Sequence, residues 1–250
     1  MPIALITGGN RGLGRSTALK LAEAGTDVIL TYRSNKDEAA AVVDAVTALG
    51  RKAVALELDT TAFDTFPAFV AQVREALDLT WQRDTVDFLV NNAGSGAFTP
   101  LGQTTAEAFD LMVNVHFKGV FFLTQAVLPL LSDGGRIVNL STGLTRFVSE
   151  GWSVYAAAKS AVETYSKYLA KELGGRGISV NTVAPGPTGT DFAGGVMRDD
   201  AQFREVLARQ AALGRPGEPD DIGAVIAALL TPGTGWITAQ RIEVSGGMLL

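Results

Sequence analysis

The chain has no cysteine and a single histidine, His116, among its 250 residues. Without cysteine there is no disulfide, no thiol nucleophile and no thiolate metal site. One histidine excludes a multi-histidine metal cluster, so no metal is expected and His116 is read as structural. Lysine and arginine form no block and the net charge is −5, which argues against nucleic-acid binding. Long apolar runs are scarce. The longest, "VFFLTQAVLPLL", is broken by Thr124, Gln125 and Pro129, so no membrane span is expected. The opening "MPIALITGG" lacks a basic n-region and is not a secretory signal. The expectation is a soluble, cytoplasmic protein.

With 47% hydrophobic residues, the chain can bury a sizeable core. Short β-branched runs alternate with longer helical patterns. Strands are expected at 3–7, 27–32, 52–58, 86–91, 135–141, 178–184 and 241–245. Helices are expected between them, among them a long one near 105–131 and one at 219–230. This alternation predicts an α/β fold: one domain over 1–250, a doubly wound, Rossmann-type, mostly parallel sheet of about seven strands with helices on both faces. Ligands of such sheets bind beyond the C-terminal strand ends, where the strand order reverses.

After the first strand comes "TGGNRGLG", with Thr7, Gly8, Gly12 and Gly14 spaced T-G-x-x-x-G-x-G. Glycines at a strand-to-helix turn let backbone N–H groups approach a pyrophosphate at the positive helix end. The second strand ends "LTYRSN": Tyr32 stands where an acidic residue serves the ribose diol of NAD, and Arg33 and Ser34 follow. Arg11 lies in the glycine turn. Two guanidiniums with no carboxylate at that corner favour a 2′-phosphate, so NADP(H) is expected ahead of NAD(H). In "SVYAAAKSAV", Tyr155 and Lys159 lie four apart on one helix face. An ammonium about 4 Å from the phenol would supply about 4 kcal/mol at an effective dielectric of 20. That suffices to lower the ordinary tyrosine pKa by two to three units, roughly 3–4 kcal/mol.

In these motifs and their order the chain resembles the short-chain dehydrogenase/reductase family from end to end. "TGGNRGLG" is similar to the family's cofactor turn, which implicates Asn10, Arg11 and Leu13 beside Thr7 and the glycines Gly8, Gly12 and Gly14. Asp59, followed by Thr60, resembles the acidic residue at the adenine. "NNAG" (Asn91, Asn92, Ala93, Gly94) resembles the motif after strand four. "PGPTGT" resembles the nicotinamide-side turn, with Pro185, Gly186, Thr188 and Thr190, and "SGGMLL" resembles the C-terminal glycine pair. The resemblance implies an NAD(P)-dependent oxidoreductase acting on a small-molecule carbonyl or secondary alcohol. Its catalytic quartet carries over as Asn114, Tyr155, Lys159 and a hydroxyl that is Thr142 or Ser141. Tyr155 exchanges the proton, Lys159 lowers the Tyr155 pKa and holds the ribose, and Asn114 links Lys159 to a water chain. A 3-oxoacyl thioester is the default substrate, against a small ketone, sugar or quinone. The family pairs the long helix and the Tyr–Lys helix across subunits, which implies a homotetramer or else a homodimer. The segment 186–212 is expected to be a substrate lid, with Phe98, Phe147, Trp152 and Phe192 near an apolar pocket. The competing reading is a non-catalytic protein that senses the dinucleotide, and turnover separates the two.

Overall fold

A computed structural model describes residues 1–250. Seven strands form one sheet: β1 (Ile3–Ile6), β2 (Asp27–Tyr32), β3 (Ala53–Glu57), β4 (Val86–Asn91), β5 (Leu131–Leu140), β6 (Ser179–Pro185) and β7 (Arg241–Val244). Their order is β3-β2-β1-β4-β5-β6-β7, and all six adjacent pairs are parallel. The order reverses between β1 and β4, which opens a crevice there.

Alternation along β1 divides the core between the two faces. Ala4 and Ile6 pack into a cluster with α1 (Gly12–Glu23), α2 (Lys36–Ala48) and α9 (Pro219–Leu230). Ile3 and Leu5 pack on the opposite side with α3 (Phe66–Trp81), α5 (Gly119–Val127) and α6 (Ser153–Leu173). A separate third cluster holds three buried residues, Leu207, Ala211 and Met248. It anchors α7 (Val196–Asp199) and α8 (Ala201–Gln210), the two helices of the expected lid.

Local chemistry sets the helix starts. Asn35 accepts from the Glu38 N–H at the head of α2, and Thr105 accepts from Ala108 N–H at the head of α4 (Ala106–Val113). Glu218 and Asp221 close a capping box on α9.

Two expectations change. β5 begins at Leu131, ahead of the expected 135. The single long helix is also not uniform: a π-turn, Asn114–Lys118, joins α4 to α5, with Gly119 N–H donating to the Asn114 carbonyl. A side chain on Gly119 would meet the Thr60 carbonyl at 2.4 Å, so the helix widens where it passes that loop. The whole run Ala106–Leu130 has 25 residues and a hydropathy of 1.4, which is long and apolar enough to cross a membrane. Here Leu123, Val127 and Leu130 spend that apolarity against the sheet.

Candidate active site

A cavity of about 900 Å³ runs along the C-terminal ends of the strands. At one end lie the glycine turn, Arg33, Ser34, Asp59 and Thr60; at the other lie Thr142, Tyr155 and Phe192.

The turn is built to receive an anion. Gly8 and Gly12 have φ of +63° and +53°, which glycine adopts without strain. The first turn of α1 has no side-chain cap and no acidic residue, so its N–H groups and positive end face the cavity. Gly8, Asn10, Arg11, Gly12 and Leu13 all border it. Thr7 and Gly14 do not: both hold the turn in place from behind. The Thr7 hydroxyl accepts from the Asn92 and Ala93 N–H groups, each at 2.9 Å. A side chain on Gly14 would strike the Gly8 carbonyl at 2.2 Å. Asn92 donates its amide to the Thr7 and Gly8 carbonyls, which welds the turn to β4. Ala93 and Gly94 border the cavity as expected, but Asn91 does not. Asn91 points into the core, donating to Thr124 and Asn139, and Asn139 donates in turn to Ser166.

At the far corner Arg33 is exposed; Arg11, also exposed, lies 3.9 Å from Asp191, the residue before Phe192. A carboxylate that the sequence reading missed, Glu38, also borders this corner. It accepts from the Asn10 amide at 2.7 Å. Asp59 sits below its ordinary pKa: burial opposes this, but hydrogen bonds from Thr61 and the charge of Arg33 outweigh it. Pro185, Gly186, Thr188 and Thr190 line the opposite wall. The uncapped helix end, the positive-φ glycines and the two guanidiniums fit a dinucleotide with its pyrophosphate on α1.

The two adjacent hydroxyls after β5 separate cleanly. Ser141 donates to Glu163 at 2.6 Å, two helical turns beyond Tyr155 on α6. Thr142 accepts from Leu144 N–H at 3.3 Å and, like Ser141, borders the cavity with Tyr155. Tyr155 is 7% exposed. Burial pushes its phenol up to about 12, and the hydrogen bond from Thr142 pulls the other way. Glu163 also accepts from Thr145 and Arg241, at 2.7 and 2.8 Å. Arg241 reaches the Thr142 carbonyl at 3.2 Å. This hub fixes the 141–146 segment against α6 and β7.

Lys159 does not depress Tyr155 as the sequence suggested. Its ammonium lies 6.0 Å from the Tyr155 ring centre and donates to the Leu140 carbonyl at 2.7 Å. Burial lowers its own pKa to about 8. Asn114 lies off the cavity. Its carbonyl serves the π-turn, and no hydrogen bond joins it to Lys159.

His116 is more than a core residue. Its ring meets Tyr155 edge-on at 4.8 Å, and Nε2 faces the Ser95 carbonyl at 2.6 Å. Nδ1 is buried without a partner. Burial, then the Lys159 charge, lowers its pKa to about 3, so the ring is neutral. Its place two residues after Asn114 was the only sequence signal. Together these groups present a protonated phenol, backed by a hydroxyl and a buried ammonium, at the end of a dinucleotide-shaped cavity.

Residues 8–249 match the family model described as Enoyl-(Acyl carrier protein) reductase. The 3-oxoacyl-[acyl-carrier-protein] reductase FabG of Staphylococcus epidermidis is 36% identical over 250 residues, covering 99% of this chain and 98% of that one. The angucycline C-6 ketoreductase LanV, solved with bound NADP, superposes with a TM-score of 0.94 at 35% identity, covering 99% of this chain and 95% of that one. A short-chain dehydrogenase/reductase from Serratia marcescens gives a TM-score of 0.91 at 32% identity, covering 100% and 98%. With a family match over nearly its whole length and relatives above 30% identity end to end, the chain belongs to the short-chain dehydrogenase/reductase family.

Proposed function

We propose that the protein is an NADP(H)-dependent carbonyl reductase in which Tyr155 is the proton donor. The observation that carries this reading is one cavity that holds Arg33 beside the glycine turn at one end and Thr142 and Tyr155 at the other. Arg33, which no carboxylate engages in an ion pair, recognises a 2′-phosphate, for which a guanidinium is suited, while Glu38 is turned to Asn10. The NADP held by LanV agrees with that preference.

A bound NADPH supplies the hydride. Thr142 hydrogen-bonds the carbonyl oxygen and orients it. Tyr155 transfers its proton to that oxygen as negative charge develops there. A phenol raised by burial is fully protonated near neutral pH, which suits the reductive direction. Lys159 places a positive charge beneath the site and is positioned to meet the ribose. Asn114 shapes the π-turn beside the Tyr155 helix and acts as a positioning residue. Half-exposed Phe109, Leu111 and Phe122, with Tyr168, form the α4–α5 and α6 face on which subunits pair, and light scattering is expected to give a tetramer or dimer.

The test is Tyr155→Phe. Turnover of carbonyl substrates is expected to fall by about 10²–10⁴-fold while NADPH fluorescence still reports binding. Near-normal turnover in that variant would remove Tyr155 from the mechanism.

A further inference from the structure

We infer that the substrate is a neutral, planar, fused-ring aromatic ketone taken free from solution, not an acyl chain tethered to an acidic carrier protein. This rests on the carbonyl-reductase reading above and specifies its substrate class.

The first observation is the wall around Tyr155. Trp152 and Phe192 lie nearly parallel, 26° apart with centres 6.0 Å apart. Both meet the Tyr155 ring, at 5.8 and 5.6 Å. These rings are pressed onto bare backbone. A methyl on Gly96 would come within 2.8 Å of Phe192 and 3.2 Å of Trp152. One on Gly143 would meet Phe147 at 2.6 Å, and one on Gly151 would meet Phe98 at 2.0 Å. Gly96 and Gly143 therefore seat three rings that line the cavity, Phe192, Trp152 and Phe147, and leave them little room to turn, whereas Phe98, expected beside the pocket, is 66% exposed and does not border it. A wall of fixed π-faces rewards a rigid flat ligand, which loses little freedom on binding, more than a flexible chain. The rest of this half is apolar, with Met197, Phe203, Val206, Leu207, Met248 and Leu249. The one guanidinium that reaches this half, Arg11, lies 3.9 Å from the Asp191 carboxylate and is matched by it; Arg33 lies at the far corner and Lys159 beneath. Nothing there answers a carboxylate or phosphate on the substrate.

The second observation is independent of the first and concerns the rim. An acidic carrier is steered by unpaired basic groups around the mouth. Every arginine around the lid is instead matched to a carboxylate. Arg146 grips Glu243 at 2.6 Å, and Arg204 meets Glu218 at 2.7 Å. Arg198 pairs with Asp199 and Asp191, Arg209 with Glu205, and Arg215 with Asp221. The lid 186–212 carries three arginines against four carboxylates, a net −1. That surface repels an acidic protein.

In the reaction the carbonyl carbon gains a hydride from NADPH and the oxygen gains the Tyr155 proton. The ketone is reduced to a secondary alcohol, and the cofactor is oxidised to NADP⁺.

The experiment compares kcat/KM, by NADPH consumption, for α-tetralone, acetoacetyl-N-acetylcysteamine and acetoacetyl-acyl carrier protein. Tetralone is expected to lead both thioesters by about tenfold or more, and attachment to the carrier is expected to give no gain over the free thioester. In Phe192→Leu, which keeps apolar volume and removes the π-face, the tetralone-to-thioester ratio is expected to fall by about 2- to 12-fold. A carrier-bound substrate that matches or beats tetralone overturns the inference and leaves the reductase reading standing. Turnover of no carbonyl by protein that binds NADPH overturns the reductase reading, and this inference with it.

Discussion

Lys159 should make the empty protein less stable, and replacing it with methionine exposes the cost. The side chain is 4% exposed, and burial lowers its pKa from 10.5 to about 8. Between those values the unfolded chain binds a proton that the folded one has released. Stability therefore rises with pH across that window. The gap corresponds to about 3 kcal/mol, at roughly 1.4 kcal/mol per pH unit. Below about pH 8 wild type carries that penalty in full, and Lys159→Met escapes it. The variant loses the donor to the Leu140 carbonyl at every pH, a loss of about 1–2 kcal/mol. Net, the variant should be about 1–2 kcal/mol more stable near neutrality and less stable by a similar amount once the pH passes the ordinary lysine value. Tyr155 lowers stability as pH rises from its ordinary value of 10 towards about 12, but both proteins share that loss. Urea unfolding followed by tryptophan fluorescence across this range measures the difference directly. Curves that stay parallel from below pH 8 to above 10.5 would refute a charged Lys159 buried at cost. The same variant should have lost turnover, which separates its contribution to catalysis from its effect on stability.

Two further outcomes follow from the same geometry. Thr142→Ala should lower kcat by about 10²-fold or more, because the donor to the reacting oxygen is gone, whereas Ser141→Ala should lower it far less; equal losses would show that Ser141 also faces the substrate. Arg33→Ala should raise the KM for NADPH by about 10- to 100-fold through loss of a charge-assisted contact and leave the KM for NADH nearly unchanged, as read from initial rates with each cofactor.

The alternation of apolar strands and helices was enough to place all seven strands, because each strand's buried pattern is a local property. Tyr155, Lys159 and the glycine turn were legible for the same reason: their spacing encodes their geometry. A motif, however, does not separate a residue that touches a ligand from one that holds the toucher. Thr7, Gly14 and Asn91 sit inside cofactor motifs yet serve the scaffold. The different partners of Thr142 and Ser141 were invisible because Glu163, 22 residues from Ser141 and across the α6 packing, engages Ser141 alone of the two. Glu38 and His116 reach the cavity from elements whose proximity only the folded sheet creates. The expected lowering of the Tyr155 pKa by Lys159 is not found: burial raises the phenol, Thr142 opposes that rise, and the Lys159 ammonium is directed at the Leu140 carbonyl.

The third hydrophobic cluster has a kinetic consequence. The two main clusters bury 21 and 20 residues, but the lid helices are anchored by three. Segments with so little buried surface open far below the free energy of global unfolding. On the proposed reading, the segment over the cavity therefore moves on contacts that the sheet and Tyr155 do not share. Substitutions at Leu207 or Met248 can change how long product dwells while the chemical step keeps its speed, so turnover in this enzyme can be tuned by its exit as much as by its chemistry.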